Sequence, residues 1–308
     1  MLALIVGRGA LPRLIVEAQP ERPLICALEG NAPQVTPDIT FRLETLGSLL
    51  LDLGKRGVTD VCFCGAIERP AVDPSKLDAE TMPLVPIFME ALQKGDDGAL
   101  RAAMSIFEQT GFTIRAANEL MPNLTLELSI PTKAKPEARH EADAGLGDSV
   151  IAQMGEADLG QACIIRAGEV LAREDDAGTD AMLAKFAEKY VPHSEGLDPL
   201  DWALDAVEWA SDPLNNAIDV VLGWFEPEPE IDADKPKAAK GAILFKAPKP
   251  EQDLRADMPT IGPATAMKAA EAGLDGIVIA ADKVLVVDQP HVLKILDAMG
   301  MFLWVRQP

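Results

Sequence analysis

Three unbroken apolar runs open the chain, LALIV at 2–6, PLICAL at 23–28 and VCFCG at 61–65, and segments with helical spacing stand between them. A strand with one face in water alternates apolar and polar residues; a run with no alternation has both faces covered. The pattern therefore predicts strand, helix through Leu14 to Ala18, strand, helix through Gly47 to Lys55, strand: a parallel sheet with helices on both sides. Two further helices are predicted over Thr81 to Gln93 and Asp96 to Gln109. The proline- and lysine-containing stretch Pro131 to Ala142 then reads as a connection, so the division is expected at 1–132 and 133–308.

The second part is predicted to restart with a helix around Gly147 to Met154. Strands ACIIR and EVLAR, a helix near Gly178, strands GAILF, GIVIA, VLVVD and MFLWV, and helices Pro263 to Ala272 and Pro290 to Ala298 complete it. The fold class expected is α/β with two domains: an N-terminal Rossmann-like parallel-sheet domain and a C-terminal α/β domain. A helical insert at about 189–240 interrupts the latter. From Glu195 to Asp234 it is rich in Asp and Glu and carries no Lys or Arg. Asp198-Pro199 and Asp212-Pro213 read as two helix starts, each an N-cap followed by proline in the first turn. The two amphipathic faces fit a hairpin packed on the domain, or an apolar surface for a lipid chain with Trp202, Trp209 and Trp224.

Charge and composition narrow the chemistry. A net charge of −21 in 308 residues, with no basic stripe, argues against a nucleic-acid partner and against adsorption to an anionic bilayer. Apolar runs of this length do not span a membrane and no secretory leader is recognisable, so a cytoplasmic protein is expected. The cysteines at 26, 62, 64 and 163 lack metal-ligand spacing and are expected as reduced core residues. Three histidines at 140, 193 and 291 are too scattered for a triad, which leaves catalysis to Asp, Glu, Lys and Arg.

Five loops hold the candidate groups. GRGALP, 7–12, follows the first strand and opens a helix, where backbone N–H groups can meet a phosphate. Its G-x-G lacks the third glycine of a dinucleotide fingerprint, although Glu29 stands where a ribose-binding acid would be; a tight turn needing glycine explains it equally well. GAIERP, 65–70, leaves the C-terminal end of a strand, the edge at which open α/β sheets bind ligands. KGDDGAL, 94–100, and DAGTDAML, 176–183, read as helix starts capped by Asp96 or Asp97 and by Thr179 or Asp180. Finally KAPKPEQDLRADMPTIG, 246–262, sets Lys246 and Lys249 among prolines close to Asp253 and Asp257. Stiffened cations can stabilise a transferring phosphoryl group while a carboxylate holds Mg²⁺ or orients water; a solvated tether is the other reading.

In this order and spacing, GRGALP, GAIERP, KGDDGALR, DDAGTDAML, KAPKPEQDLRADMPTIG and the ending GLDGIVI…VLVVD resemble the LpxI family of UDP-2,3-diacylglucosamine pyrophosphatases, over nearly the whole chain apart from the acidic insert. The resemblance implies a Mg²⁺-dependent (or Mn²⁺-dependent) hydrolase of Gram-negative lipid A biosynthesis. It would cleave UDP-2,3-diacylglucosamine to UMP and lipid X in a cleft between two α/β domains, with water attacking the sugar-side phosphorus. By motif, Asp257 matches the essential carboxylate, as metal ligand or water-orienting base. Gly9, Ala10, Leu11, Gly65, Ala66 and Ile67 would contact substrate, and Lys94, Asp96, Thr179, Asp180, Lys246, Lys249 and Thr260 match further polar positions. Glu68 departs from the smaller polar residue expected in GAIERP, and the insert is longer than the resemblance requires. A homodimer and a transient contact with the inner membrane are left open. An NAD(P)-dependent nucleotide-sugar oxidoreductase using GRGALP and Glu29, and a non-enzymatic lipid or nucleotide carrier, are the competing readings.

Overall fold

The computed structural model describes residues 1–67, 72–92, 95–157, 159–175, 177–187 and 239–307. The acidic segment with its three tryptophans, together with Lys94 and Glu68, lies outside the described residues.

The first five strands form one all-parallel sheet: β1 (Leu2–Val6), β2 (Leu24–Leu28), β3 (Ile39–Phe41), β4 (Asp60–Cys64) and β5 (Thr113–Ile114), in the order β3-β2-β1-β4-β5. The absence of alternation in the sequence has the expected cause. Ala3, Ile5, Cys26, Leu28, Val61 and Phe63 face one apolar cluster, and Leu4, Val6, Ile25, Ala27, Cys62 and Cys64 face another. Helices α2 (Leu46–Lys55) and α4 (Gly95–Gln109) cover the first face through Leu46, Leu49, Leu53, Met104 and Phe107. Ile15 of α1 (Leu11–Ala18) and Ala117 of α5 (Ala117–Leu120) cover the second. β3 and β5 were not foreseen, being too short to show a period. The segment before α4 is shorter than predicted: a 3₁₀ turn at Met82–Leu84, then α3 over Val85–Leu92. Phe107 is fully buried and meets Phe63 edge-on at 5.3 Å. Phe107→Ala is expected to destabilise the chain by about 3–5 kcal/mol, measurable as a lowered midpoint in denaturant.

The second sheet is mixed: β6 (Ala162–Arg166), β7 (Glu169–Arg173), β8 (Ile243–Lys246), β10 (Gly276–Ala280) and β12 (Phe302–Arg306), ordered β12-β10-β8-β6-β7. β8, β10 and β12 are parallel, whereas β6 and β7 run antiparallel to their neighbours. Helices α6 (Ala138–Glu156), α7 (Gly178–Ala184), α8 (Pro263–Glu271) and α9 (Gln289–Ala298) accompany this sheet. Two predicted elements are corrected. α6 begins within the supposed connection, because its buried stripe is partly polar and gives no hydrophobic period: His140 Nδ1 accepts from the Glu137 N–H at 2.9 Å, and Asp143 accepts the N–H groups of Ala167 and Gly168 at 2.9 and 2.7 Å. VLVVD contributes only β11 (Leu285–Val286), which leaves the main sheet to pair in parallel with β9 (Thr260–Ile261). Leu285 packs with Leu4, Ile15 and Cys62, and Met258 packs against the same cluster, so this small sheet joins the two halves.

All four cysteines are buried free thiols, and burial pushes those of Cys26 and Cys163 up to about 12. Among the described residues no helix is long and apolar enough to cross a membrane.

Candidate active site

In a sheet ordered β3-β2-β1-β4-β5 the connections leave in opposite directions on either side of the β1/β4 pair, and the crevice opens there, at the strands' C-terminal ends. The two loops predicted to touch ligand emerge at that point and dock on each other. The Arg8 N–H donates to Ala66 O at 2.8 Å, the Ala66 N–H to Arg8 O at 2.9 Å, and the Gly7 N–H to Cys64 O at 2.8 Å. The docking leaves no room for side chains: a Cβ at Gly7 would lie 2.3 Å from Ala66 O. Gly65, at φ +87°, adopts a backbone conformation that favours glycine. Gly9, Ala10 and Leu11 continue from this junction into α1, and Ile67 stands exposed beyond it. Glu29, proposed for a ribose, is an exposed carboxylate 3.5 Å from Arg42 Nη1.

In the second half, the 246–262 stretch is not a solvated tether. Lys246 ends β8 with only 7% of its surface exposed. Its Nζ donates to Thr179 Oγ1 at 2.6 Å, and the Thr179 hydroxyl donates to Glu174 Oε1. Burial pulls the Lys246 pKa down, and the carboxylates of Glu174, Asp180 and Asp257 pull the other way. Asp257 sits in the same network. Its Oδ2 accepts Gln252 Nε2 at 2.6 Å and Gln161 Nε2 at 3.0 Å, while Gln252 also binds the Asp257 carbonyl. Gln252 Oε1 accepts the Lys249 N–H at 2.9 Å, closing the loop on itself.

The remaining candidates are placed differently. Lys249 lines a cavity of about 290 Å³ with Asp148, Gln252 and Lys283. Thr260 Oγ1 bonds the Met258 carbonyl at 3.1 Å. Thr179 and Asp180 are not caps: α7 starts at Gly178, so both fall in its first turn, where Asp180 Oδ2 meets Lys268 Nζ at 2.7 Å. Asp96 likewise falls in the first turn of α4 rather than at its cap, and its side chain lies outside the described residues.

α4 also holds the Asp257 loop from the first half. Arg101 donates to the Glu251 carbonyl, and Arg255 bonds Glu108. Arg255 in turn grips Asp253 through Nε and Nη2 at 3.0 and 2.7 Å, which holds the Asp253 carboxyl below its usual range.

Sequence reasoning passed over Glu174, Gln161 and Gln252. Only Glu174 left a signal, as an acid directly after a strand and just before G-T-D. Nothing around Gln161 or Gln252 marks either glutamine.

The description LpxI N-terminal domain matches residues 1–124, and LpxI C-terminal domain matches residues 127–197 and 228–304. The gap in the second match, 198–227, falls within the acidic segment. UDP-2,3-diacylglucosamine pyrophosphatase LpxI of Caulobacter vibrioides is 32% identical over 313 residues, covering 98% of this chain and 95% of that protein.

Proposed function

The chain belongs to the LpxI family, and from that membership we propose that it hydrolyses the pyrophosphate of UDP-2,3-diacylglucosamine to UMP and 2,3-diacylglucosamine 1-phosphate, lipid X, in lipid A biosynthesis. The observation that carries this assignment is the family match across both halves of the chain, with the motif carboxylate Asp257 set in a network that reaches a buried lysine. We assign substrate recognition chiefly to residues 1–132 and the chemistry to 133–308.

Hydrolysis joins a water oxygen to the sugar-side phosphorus, breaks that phosphorus's bond to the bridging oxygen, and lets UMP leave with the bridge. Asp257 is assigned to orient the water and accept its proton. Two amide donors on Oδ2 fix the rotation of its carboxylate before substrate arrives, so little reorganisation is left for the reaction itself. Lys246, desolvated at the end of β8, is assigned to the negative charge of the phosphoryl oxygens, where low polarity strengthens its attraction. The docked Gly7–Leu11 and Gly65–Ile67 loops are assigned to the substrate's phosphate and nucleotide portions.

Mg²⁺, or Mn²⁺ in its place, would supply further neutralisation of the phosphoryl oxygens when bound. Asp257 offers the hard oxygen ligand such an ion takes. Mg²⁺ is commonly held by one or two carboxylates together with substrate phosphates, and Asp257 would be one such carboxylate.

Incubating the full chain with UDP-2,3-diacylglucosamine and Mg²⁺ is expected to release UMP. Chelation should cut the rate about a hundredfold or more, and added Mg²⁺ or Mn²⁺ should restore it. No UMP under any of these conditions would overturn the assignment, and a rate indifferent to chelation would remove the metal from it.

A further inference from the structure

We propose that Gln161 is a positioning residue for hydrolysis, setting the Asp257 carboxylate from outside the loop that carries it; the inference rests on the role assigned to Asp257 above. Gln161 immediately precedes β6, and three of its polar groups hold it in place. Its N–H donates to Glu174 Oε2 at 2.6 Å, its carbonyl accepts the Ala247 N–H at 3.2 Å, and its Nε2 donates to Asp257 Oδ2 at 3.0 Å. One side chain thus refers Asp257 to the sheet, through its own main-chain bonds to the residue that follows β7 and the residue that follows β8.

Gln252 cannot serve the same purpose. It lies five residues from Asp257 on the same loop, so a shift of the loop carries donor and acceptor together. Gln161 does not travel with that loop. Its anchor is also held: Glu174 is 9% exposed, its other oxygen accepts the Thr179 hydroxyl, and Lys246 Nζ stands 3.9 Å from that oxygen. A continuous chain, Asp257–Gln161–Glu174–Thr179–Lys246, links the carboxylate to the buried cation. Gly160 makes the close packing possible, since a Cβ there would lie 2.4 Å from Glu174 Cγ and 2.6 Å from its Cβ.

Reaction rates respond steeply to such placement, and a displacement of about 1 Å costs about a hundredfold. Gln161→Met keeps the unbranched side chain and the main-chain bonds to Glu174 and Ala247 but removes the donor. Gln161→Glu keeps the shape and sets an acceptor against Asp257 Oδ2. Steady-state kinetics with UDP-2,3-diacylglucosamine on the full chain, alongside Tm, separate positioning from packing. For both variants kcat should fall about 10- to 100-fold, with KM within about twofold of the parent; Tm should be nearly unchanged in Gln161→Met and lower in Gln161→Glu, whose carboxylate faces that of Asp257. Undiminished kcat in Gln161→Met, a change confined to KM, or a loss that only tracks the unfolded fraction would overturn the proposal. Asp257→Asn, measured in parallel, keeps the two inferences apart. If it is inactive while Gln161→Met is fully active, only the positioning role fails; if it is fully active, the assignment of Asp257 fails.

Discussion

Asp257→Ala is expected to abolish UMP release, lowering kcat about a thousandfold or more while the chain stays folded. The size follows from what is removed together. A positioned general base contributes about 10²–10⁴ in rate, and the same carboxylate is the ligand assigned to the metal. The stability cost is smaller: Gln161 and Gln252 each lose an acceptor at a half-buried position, and an unsatisfied buried donor costs about 1–3 kcal/mol. The two effects are read separately, the first by UMP formation at saturating substrate and the second by thermal unfolding. A folded Asp257→Ala variant that keeps more than a tenth of the parent's kcat would remove this residue from the chemistry.

Gly65→Ala tests the other half of the site, and it is expected to raise KM about tenfold or more and to destabilise the chain by about 2–4 kcal/mol. Two costs combine. At φ +87° an L side chain meets the strain of a left-handed backbone, about 1–2 kcal/mol. Its Cβ would also stand 2.7 Å from Arg8 O, a main-chain atom that cannot rotate away. Moving Arg8 breaks the reciprocal bonds between Arg8 and Ala66 that hold the two crevice loops in register. kcat should suffer less than KM, since the Asp257 network lies in the other half of the chain. Unchanged KM and an unchanged denaturation midpoint would mean that the loops are not held by this junction.

Much of the first half was legible because its physics is local. LALIV, PLICAL and VCFCG could not alternate if both faces were to be buried, and the structure divides their side chains between two apolar clusters. The strand ends, GRGALP and GAIERP, followed from the rule that parallel sheets bind ligands at their C-terminal edge. The second half was less transparent where burial is polar. α6 buries His140 and Asp143, each satisfied by specific hydrogen bonds, so its stripe has no apolar period and its first turns were mistaken for a connection. Thr179 and Asp180 were given the wrong local reason: Thr179 faces Lys246 and Glu174 rather than its own helix terminus.

By itself the sequence determined the longer strands of both sheets, that the cysteines are packing groups, and which loops carry the cations and the carboxylate of the family's motif. These are properties of composition and short-range spacing. Only the tertiary structure decided that Lys246 is buried, that Asp257 is held by a glutamine 96 residues away, and that Glu174 joins the two through Gln161 and Thr179. The physical reason is that a hydrogen bond between distant residues leaves no period, no motif and no compositional trace. Gln161 reads as an ordinary polar residue before a strand until the sheet forms and brings Ala247, Glu174 and Asp257 within bonding distance of it.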